Sequence, residues 1–170
     1  MNLPQSVALA AALAGIPLTA KAGGKTVEDR NKEVVLRFED EFKNKANLDI
    51  VLETDAPDFV AHGLAPQPLT REMLKGLGAA VFAAFPDVKA TIDDVVAAGD
   101  RVVTRVTIHA TNKGAFNGIP ATNKPVVWTE MHMYRLKDGK IAEQWSNVDF
   151  LGLLTQLGAI PPPPAAAAKK

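Results

Sequence analysis

The sequence predicts one α+β domain in which about three N-terminal helices pack on a strongly curved antiparallel sheet. Three observations lead to this prediction. Apolar residues recur at helical spacing in the first half of the chain. From residue 88 onward the pattern changes to β-rich, strand-like runs. Two turn sequences, at 98–100 and 137–140, contain the Gly or Asp-Gly that tight hairpins need. A sheet curved in this way forms a pocket.

The helices are predicted from their caps and stripes. The first begins at the N-cap Thr26, which acidic residues follow. Its apolar stripe is expected to face the core: Val34, Val35, Phe38 and Phe42. Its charged side chains are expected to face solvent: Arg37, Glu39, Lys43 and Lys45. A second short helix is expected over 47–53, and a third runs from Thr70 to about Phe85, where Pro86 ends it.

The strands are predicted from four β-rich runs, at 88–97, 102–110, 126–136 and 141–149. A short extended piece, 58–63, precedes the third helix. The longer connection 112–124 is expected to form a rim loop, and a last helical turn is expected over 152–157.

Composition excludes several classes of function. The 170 residues suit a single domain. Lys plus Arg equals Asp plus Glu at 19 each, so no overall field attracts nucleic acid, and no nucleic-acid partner is expected. The chain has no cysteine, which excludes disulfides and thiolate chemistry. Its three histidines are dispersed, without an H-x-H or H-E-x-x-H pattern, so no metal site is expected.

The two ends of the chain differ from the middle. Residues 1–25 are a leader whose apolar run at 6–18 precedes an A-x-A-like site, which predicts a signal peptide and export to the periplasm or medium. The first five residues carry no Lys or Arg, so an Ala-rich leader and a cytoplasmic location stay open. The apolar run is shorter than the roughly 20 residues of a membrane span, and no span is expected. The domain is predicted over 26–158, and residues 159–170 form a Pro/Ala-rich tail predicted to be disordered.

The C-terminal part of the domain resembles a known family. The segment DGKIAEQWSNVDF at 138–150, the segment 152–158 and the loop at 116–123 resemble the signature of the SnoaL-like polyketide cyclases and predicted ester cyclases, in the nuclear transport factor 2-like superfamily. The resemblance covers about residues 31–158. It implies a cystatin-like α+β barrel with a cone-shaped pocket, no cofactor, and a small hydrophobic carbonyl substrate that is polyketide-like or an ester.

The resemblance also implies where the site lies. In the family's cyclases an aspartate on the last strand acts as general acid/base, in a pocket that a histidine also lines. His132 matches the pocket histidine, but Gln144 and Ser146 stand where the cyclases usually have His and Asp. Serine is not a base at neutral pH. The period of two places the following residues on one face of their strand: Trp128, Glu130, His132 and Tyr134.

Two functions are therefore open. In the first, an enzyme of the cyclase or isomerase type uses general acid–base chemistry, with His132 and Glu130 transferring protons and Gln144 and Ser146 orienting the substrate. In the second, the protein is a catalytically reduced member that binds a small apolar ligand, because the usual His and Asp are missing.

Each site residue also has a plainer role. His132 can be a core histidine satisfied by a hydroxyl, and Glu130 can be a salt-bridged sheet residue. His62 is placed either at the pocket mouth or on an exposed loop, and Asp149 either binds substrate or, as we favour, caps the last helix. Trp128 and Tyr134 are candidates for substrate contact, although such aromatic residues more often belong to the core.

The opposite face of the same strand predicts a partner. Val127, Met131 and Met133 should point outward if Glu130 and His132 point inward. An exposed apolar patch of this kind usually marks an interface. We therefore expect a homodimer formed through the outer face of the sheet.

Overall fold

The structure is a computed structural model that describes residues 24–161. Its elements follow the predicted order: α1 (Val27–Glu39) with a π-helical turn (Asp40–Asn44), α2 (Ile50–Thr54), β1 (Asp55–His62), α3 (Arg71–Ala84), β2 (Lys89–Ala98), β3 (Arg101–Thr111), β4 (Pro125–Lys137), β5 (Lys140–Val148) and α4 (Phe150–Leu157). The predicted signal peptide and most of the predicted tail lie outside the described residues. No helix among residues 24–161 is long and apolar enough to cross a membrane.

The first helix begins at the predicted cap. Thr26 Oγ1 accepts a hydrogen bond from the Asp29 backbone N–H at 3.1 Å, and Asp29 Oδ2 accepts one from the Thr26 backbone N–H at 3.1 Å. This reciprocal capping box satisfies two of the backbone donors that a helix leaves free at its start. Thr70 caps α3 in a similar way through the Met73 N–H. The expected N-terminal helices are confirmed.

The five strands form one curved, unclosed sheet in the order β1-β5-β4-β3-β2. The meander from β2 to β5 is antiparallel, and the predicted hairpin turns use the left-handed region at Gly99, Asp138 and Gly139. This confirms the α+β class. One pairing differs from the antiparallel expectation, because β1 runs parallel to β5. No hairpin joins these two strands, so no turn sequence signals their direction.

The two faces of β4 match the prediction. Trp128, His132 and Tyr134 are buried on the concave face, whereas Val127 and Met131 are 41% and 49% exposed on the convex face. The alternation of side chains along a strand explains this split. The apolar patch that predicted a dimer is thus present, and the homodimer itself stays a prediction.

Candidate functional site

An apolar cavity of about 210 Å³ lies between α3 and the concave face of the sheet. Its walls are built mainly from aliphatic and aromatic side chains, which include Phe42, Leu74, Val81, Phe82, Phe85 and Leu153. Gly78 lets α3 approach closely, since a Cβ there would lie 2.7 Å from the Phe42 ring. Pockets that bind small organic molecules have this apolar character with a few polar groups at fixed points.

The polar groups of the cavity converge at one end. His132 and Gln144 are 3% and 4% exposed, and the side chains of Lys43 and Glu130 are each 14% exposed. All four residues line the cavity. The prediction that Glu130, His132 and Gln144 face one pocket agrees with this placement.

Four charged or ionisable side chains form what we call the polar cluster: Glu39, Lys43, Glu130 and His132. The Lys43 ammonium forms ion pairs with Glu130 and, at 2.9 Å, with Glu39. Burial favours the neutral form of a carboxyl group and so raises its pKa. At Glu39 and Glu130 the attraction of the Lys43 ammonium, together with that of His132, is stronger than this burial effect and lowers the pKa of both groups. Burial likewise opposes the charge on Lys43, and the two carboxylates nevertheless raise its pKa. Both acids are therefore held as carboxylates.

The expectation that Glu39 and Lys43 face solvent is wrong. Glu39 is 1% exposed, and Lys43 lies on the π-helical turn that continues α1. Val35, Glu39 and Lys43 follow one another at intervals of four, so all three lie on the buried side of the helix. Sequence reasoning missed these two site residues because charged side chains are usually assigned to solvent. The signal that could have found them is an opposite-charge pair on the same stripe as Val35.

The proton arrangement around His132 follows from its neighbours. Its Nε2 lies 2.9 Å from the Glu130 carboxylate, which can only accept, and 3.0 Å from the Lys43 ammonium, which can only donate. Because Lys43 already donates to the carboxylates of Glu39 and Glu130, we assign the proton of the neutral ring to Nε2. Its Nδ1, 2.8 Å from Ser146 Oγ, then accepts from the serine hydroxyl. Ser146 Oγ in turn accepts from the Gln144 amide nitrogen at 2.9 Å. A continuous chain of hydrogen bonds therefore runs from Gln144 to Glu130.

Ser146, His132 and Glu130 are linked in the order of a serine–histidine–acid triad. Ser146 is 5% exposed and does not belong to the residues that line the cavity. A nucleophile must reach the substrate carbon, and this hydroxyl does not border the cavity. Ser146 therefore fixes the imidazole rather than attacking a substrate. It was predicted to line the pocket, but it does not border the cavity directly.

Two predicted aromatic contacts line the cavity and also hold the carboxylates. Trp128 Nε1 donates to Glu130 Oε1 at 2.8 Å, and the Tyr134 hydroxyl donates to Glu39 Oε1 at 2.5 Å. Thr104 Oγ1 donates to the same Glu39 oxygen at 3.0 Å. Burial, together with this nearby carboxylate, raises the pKa of Tyr134 well above its usual value. The phenol thus stays protonated as a donor.

The structure does not bring His62 and Asp149 to the cavity. His62 is the last residue of β1 and stacks on Trp145, with ring centroids 5.4 Å apart. Its neighbour Ala61 points inward, so strand alternation sends His62 to the convex face. Asp149 caps α4, where its Oδ1 accepts from the Gly152 N–H at 2.8 Å. Of the alternatives weighed from the sequence, the cap is the correct one for Asp149.

Comparison with known proteins identifies the class. The family model of the SnoaL-like polyketide cyclases matches residues 33–157 of the sequence, so the chain belongs to that family. No curated protein sequence matches the chain.

Solved structures show the same fold. IdmH from Streptomyces antibioticus, a candidate polyketide cyclase, is 34% identical, with 75% of this chain and 98% of its own covered and a TM-score of 0.67. A candidate SnoaL-like polyketide cyclase from Jannaschia sp. CCS1 is 27% identical, with coverages of 82% and 99% and a TM-score of 0.74. AclR from Streptomyces galilaeus, a candidate hydroxylase, is 28% identical, with coverages of 79% and 99% and a TM-score of 0.73. The family fold is therefore found in proteins named for two kinds of reaction.

Proposed function

We propose that the protein binds a small apolar carbonyl compound in the cavity and moves a proton on it, as a cyclase or isomerase does, with His132 as the acid–base group. The observation that carries this proposal is that His132 lines an apolar cavity while a carboxylate and a hydroxyl hold its two nitrogens. General acid–base catalysis needs a positioned ionisable group of this kind beside the reacting atoms.

The proposed step removes a proton from a carbon next to the carbonyl. The C–H bond breaks, its electron pair moves toward the carbonyl oxygen to give an enolate, and the proton passes to the imidazole of His132, which lines the cavity. The resulting imidazolium donates through Nε2 to Glu130 and through Nδ1 to Ser146 Oγ. The Lys43 ammonium at the same end of the cavity offers positive charge to the enolate oxygen.

A second candidate is a binding protein without chemistry. Both nitrogens of His132 already have partners. Although burial favours the neutral form of a carboxyl group, the Lys43 ammonium keeps the pKa of Glu130 low, so this carboxylate is a weak base. In addition, Gln144 and Ser146 occupy the positions where the resemblance places the cyclases' His and Asp. On this account the polar cluster only orients a ligand.

The exchange of carbon-bound hydrogen separates the two candidates without knowledge of the natural substrate. The probe is 2-tetralone, an apolar bicyclic ketone with acidic hydrogens next to its carbonyl. In deuterated water, the protein should accelerate deuterium uptake at that carbon, measured by proton NMR. Because a positioned acid–base group contributes about 10² to 10⁴ in rate, His132→Asn should slow the protein-dependent exchange by at least about 100-fold.

The matched control is the same substitution at the exposed His109, which lies on β3 and does not line the cavity. His109→Asn should leave the exchange rate unchanged. Binding of 2-tetralone without faster exchange would favour the second candidate. Failure of the ketone to bind at all would contradict both.

A further inference from the structure

One acceptor atom at the cavity has no hydrogen-bond partner in the part of the chain that the structure describes. Gln144 is 4% exposed and lines the cavity, and its Oε1 receives no hydrogen bond from any residue among 24–161. Two other buried carboxylate oxygens share this state in the same part of the chain. Glu39 Oε2 lies 2.9 Å from the Lys43 ammonium, and Asp55 Oδ2 does not border the cavity. Only the Gln144 oxygen is therefore placed to meet a ligand.

The identity of this atom follows from the chain of hydrogen bonds. With the proton of His132 assigned to Nε2, where Glu130 accepts it, Ser146 donates to Nδ1 and has no second proton to give. The group that approaches Ser146 Oγ at 2.9 Å must then be the donor end of the Gln144 amide. The end left without a partner is therefore the carbonyl oxygen, which can only accept.

We propose that Gln144 Oε1 accepts a hydrogen bond from a hydroxyl group of the ligand, so that the cavity selects apolar ring compounds bearing an enol or phenol O–H. This inference rests on the proposed binding of an apolar compound, and it holds whether or not His132 performs chemistry. A buried acceptor without a partner is costly, and a ligand hydroxyl removes that cost. A hydrocarbon or an ether of the same shape has no proton to donate and leaves the oxygen unpaired.

The test compares three ring compounds of similar shape: 2-naphthol, 2-methoxynaphthalene and naphthalene. Their dissociation constants for the intact protein are measured by equilibrium dialysis. We expect 2-naphthol to bind about tenfold more tightly than the other two, as one well-placed hydrogen bond in a dry site allows. Gln144→Leu and Gln144→Met should each bring the ratio between 2-naphthol and naphthalene close to one. The ratio in the unmodified protein already decides the matter if a variant fails to fold.

The control is Val81→Ala, which removes apolar contact without touching the amide. It should weaken binding of all three compounds by a similar factor and keep their ratio. Equal binding of all three compounds to the unmodified protein would overturn the role of Gln144, and so would equal binding of 2-naphthol and 2-methoxynaphthalene. Either result would leave the proposal of an apolar ligand standing. If none of the three binds, the proposed function fails and this inference fails with it.

Discussion

The polar cluster and the start of β1 both bury carboxyl groups, but the pKa of these groups is lowered in the first region and raised in the second. Glu39 and Glu130 surround the Lys43 ammonium and keep a pKa below the ordinary range. Asp55, 1% exposed at the first position of β1, has no such cation in contact among residues 24–161, and burial raises its pKa to about 7. The same desolvation acts in both regions, and the partner decides the outcome.

The hydrogen bonds around Asp55 agree with a protonated acid. Thr54 Oγ1 has a single proton and lies 2.8 Å from the Ile50 carbonyl oxygen, to which it donates. Its contact with Asp55 Oδ1 at 3.0 Å is then satisfied when Asp55 itself donates. The comparison teaches that the fold keeps buried carboxylates charged in the polar cluster, where the Lys43 ammonium pairs with them. At Asp55, where such a cation is lacking among residues 24–161, the buried acid is neutral.

The largest expected effect comes from removing the matching cation. Lys43→Met leaves two buried carboxylates without their partner, and breaking a buried pair in this way costs about 3 to 5 kcal/mol. Urea unfolding at neutral pH should show this loss in the free energy of unfolding. The matched control is Lys45→Met, because the Lys45 side chain is 55% exposed and its ion pairs are worth at most about 1 kcal/mol. Equal losses in the two variants would show that the polar cluster is not specially stabilised.

The next effect concerns Asp55 and depends on pH. Its folded-state pKa of about 7 exceeds the ordinary value of 3.8, so between these values the folded protein holds a proton that the unfolded chain has lost. The free energy of unfolding should therefore fall as pH rises from about 4 to about 7. Asp55→Asn removes this dependence and should raise stability at pH 8 by roughly 4 kcal/mol. An unchanged pH profile in the variant would place the titration elsewhere.

The smallest expected effect on stability concerns a carboxylate that is paired but exposed to solvent. Glu53 forms an ion pair with Arg37, and the two side chains are 56% and 54% exposed. Solvent screens such a pair, so Glu53→Gln should change the free energy of unfolding by less than about 1 kcal/mol. A loss comparable to that of Lys43→Met would mean that burial does not separate the two kinds of ion pair.

Most of the concave face could be predicted from the sequence because strand alternation is a local rule. The period of two placed Trp128, Glu130, His132 and Tyr134 together, and the Asp138-Gly139 turn paired that strand with the one that carries Gln144. The parallel partner of β5 could not be predicted, because its contact with β1 is set by packing alone. The sequence left His62 open between the pocket mouth and an exposed loop, and its place at the end of β1 could not be predicted for the same reason.

The polar cluster was half predicted. Its strand residues follow from alternation, whereas Glu39 and Lys43 come from a helix whose charged side chains were assigned to solvent. The π-helical turn that holds Lys43 is not signalled by composition, since it depends on how α1 packs against the sheet. The burial of a charged side chain can be predicted only when its partner on another element is known.

The central claim is that the polar cluster fixes the proton of His132 on Nε2, since both the proposed proton transfer and the role of Gln144 depend on that tautomer. The direct measurement is nitrogen-15 NMR of the His132 ring at a pH where the ring is neutral. We predict a protonated Nε2 and an unprotonated Nδ1 that accepts from Ser146, with the Ser146→Ala spectrum identifying the Nδ1 signal by its shift. A proton found on Nδ1 would contradict the account, because Ser146 would then donate to the Gln144 carbonyl and no free acceptor would face the cavity.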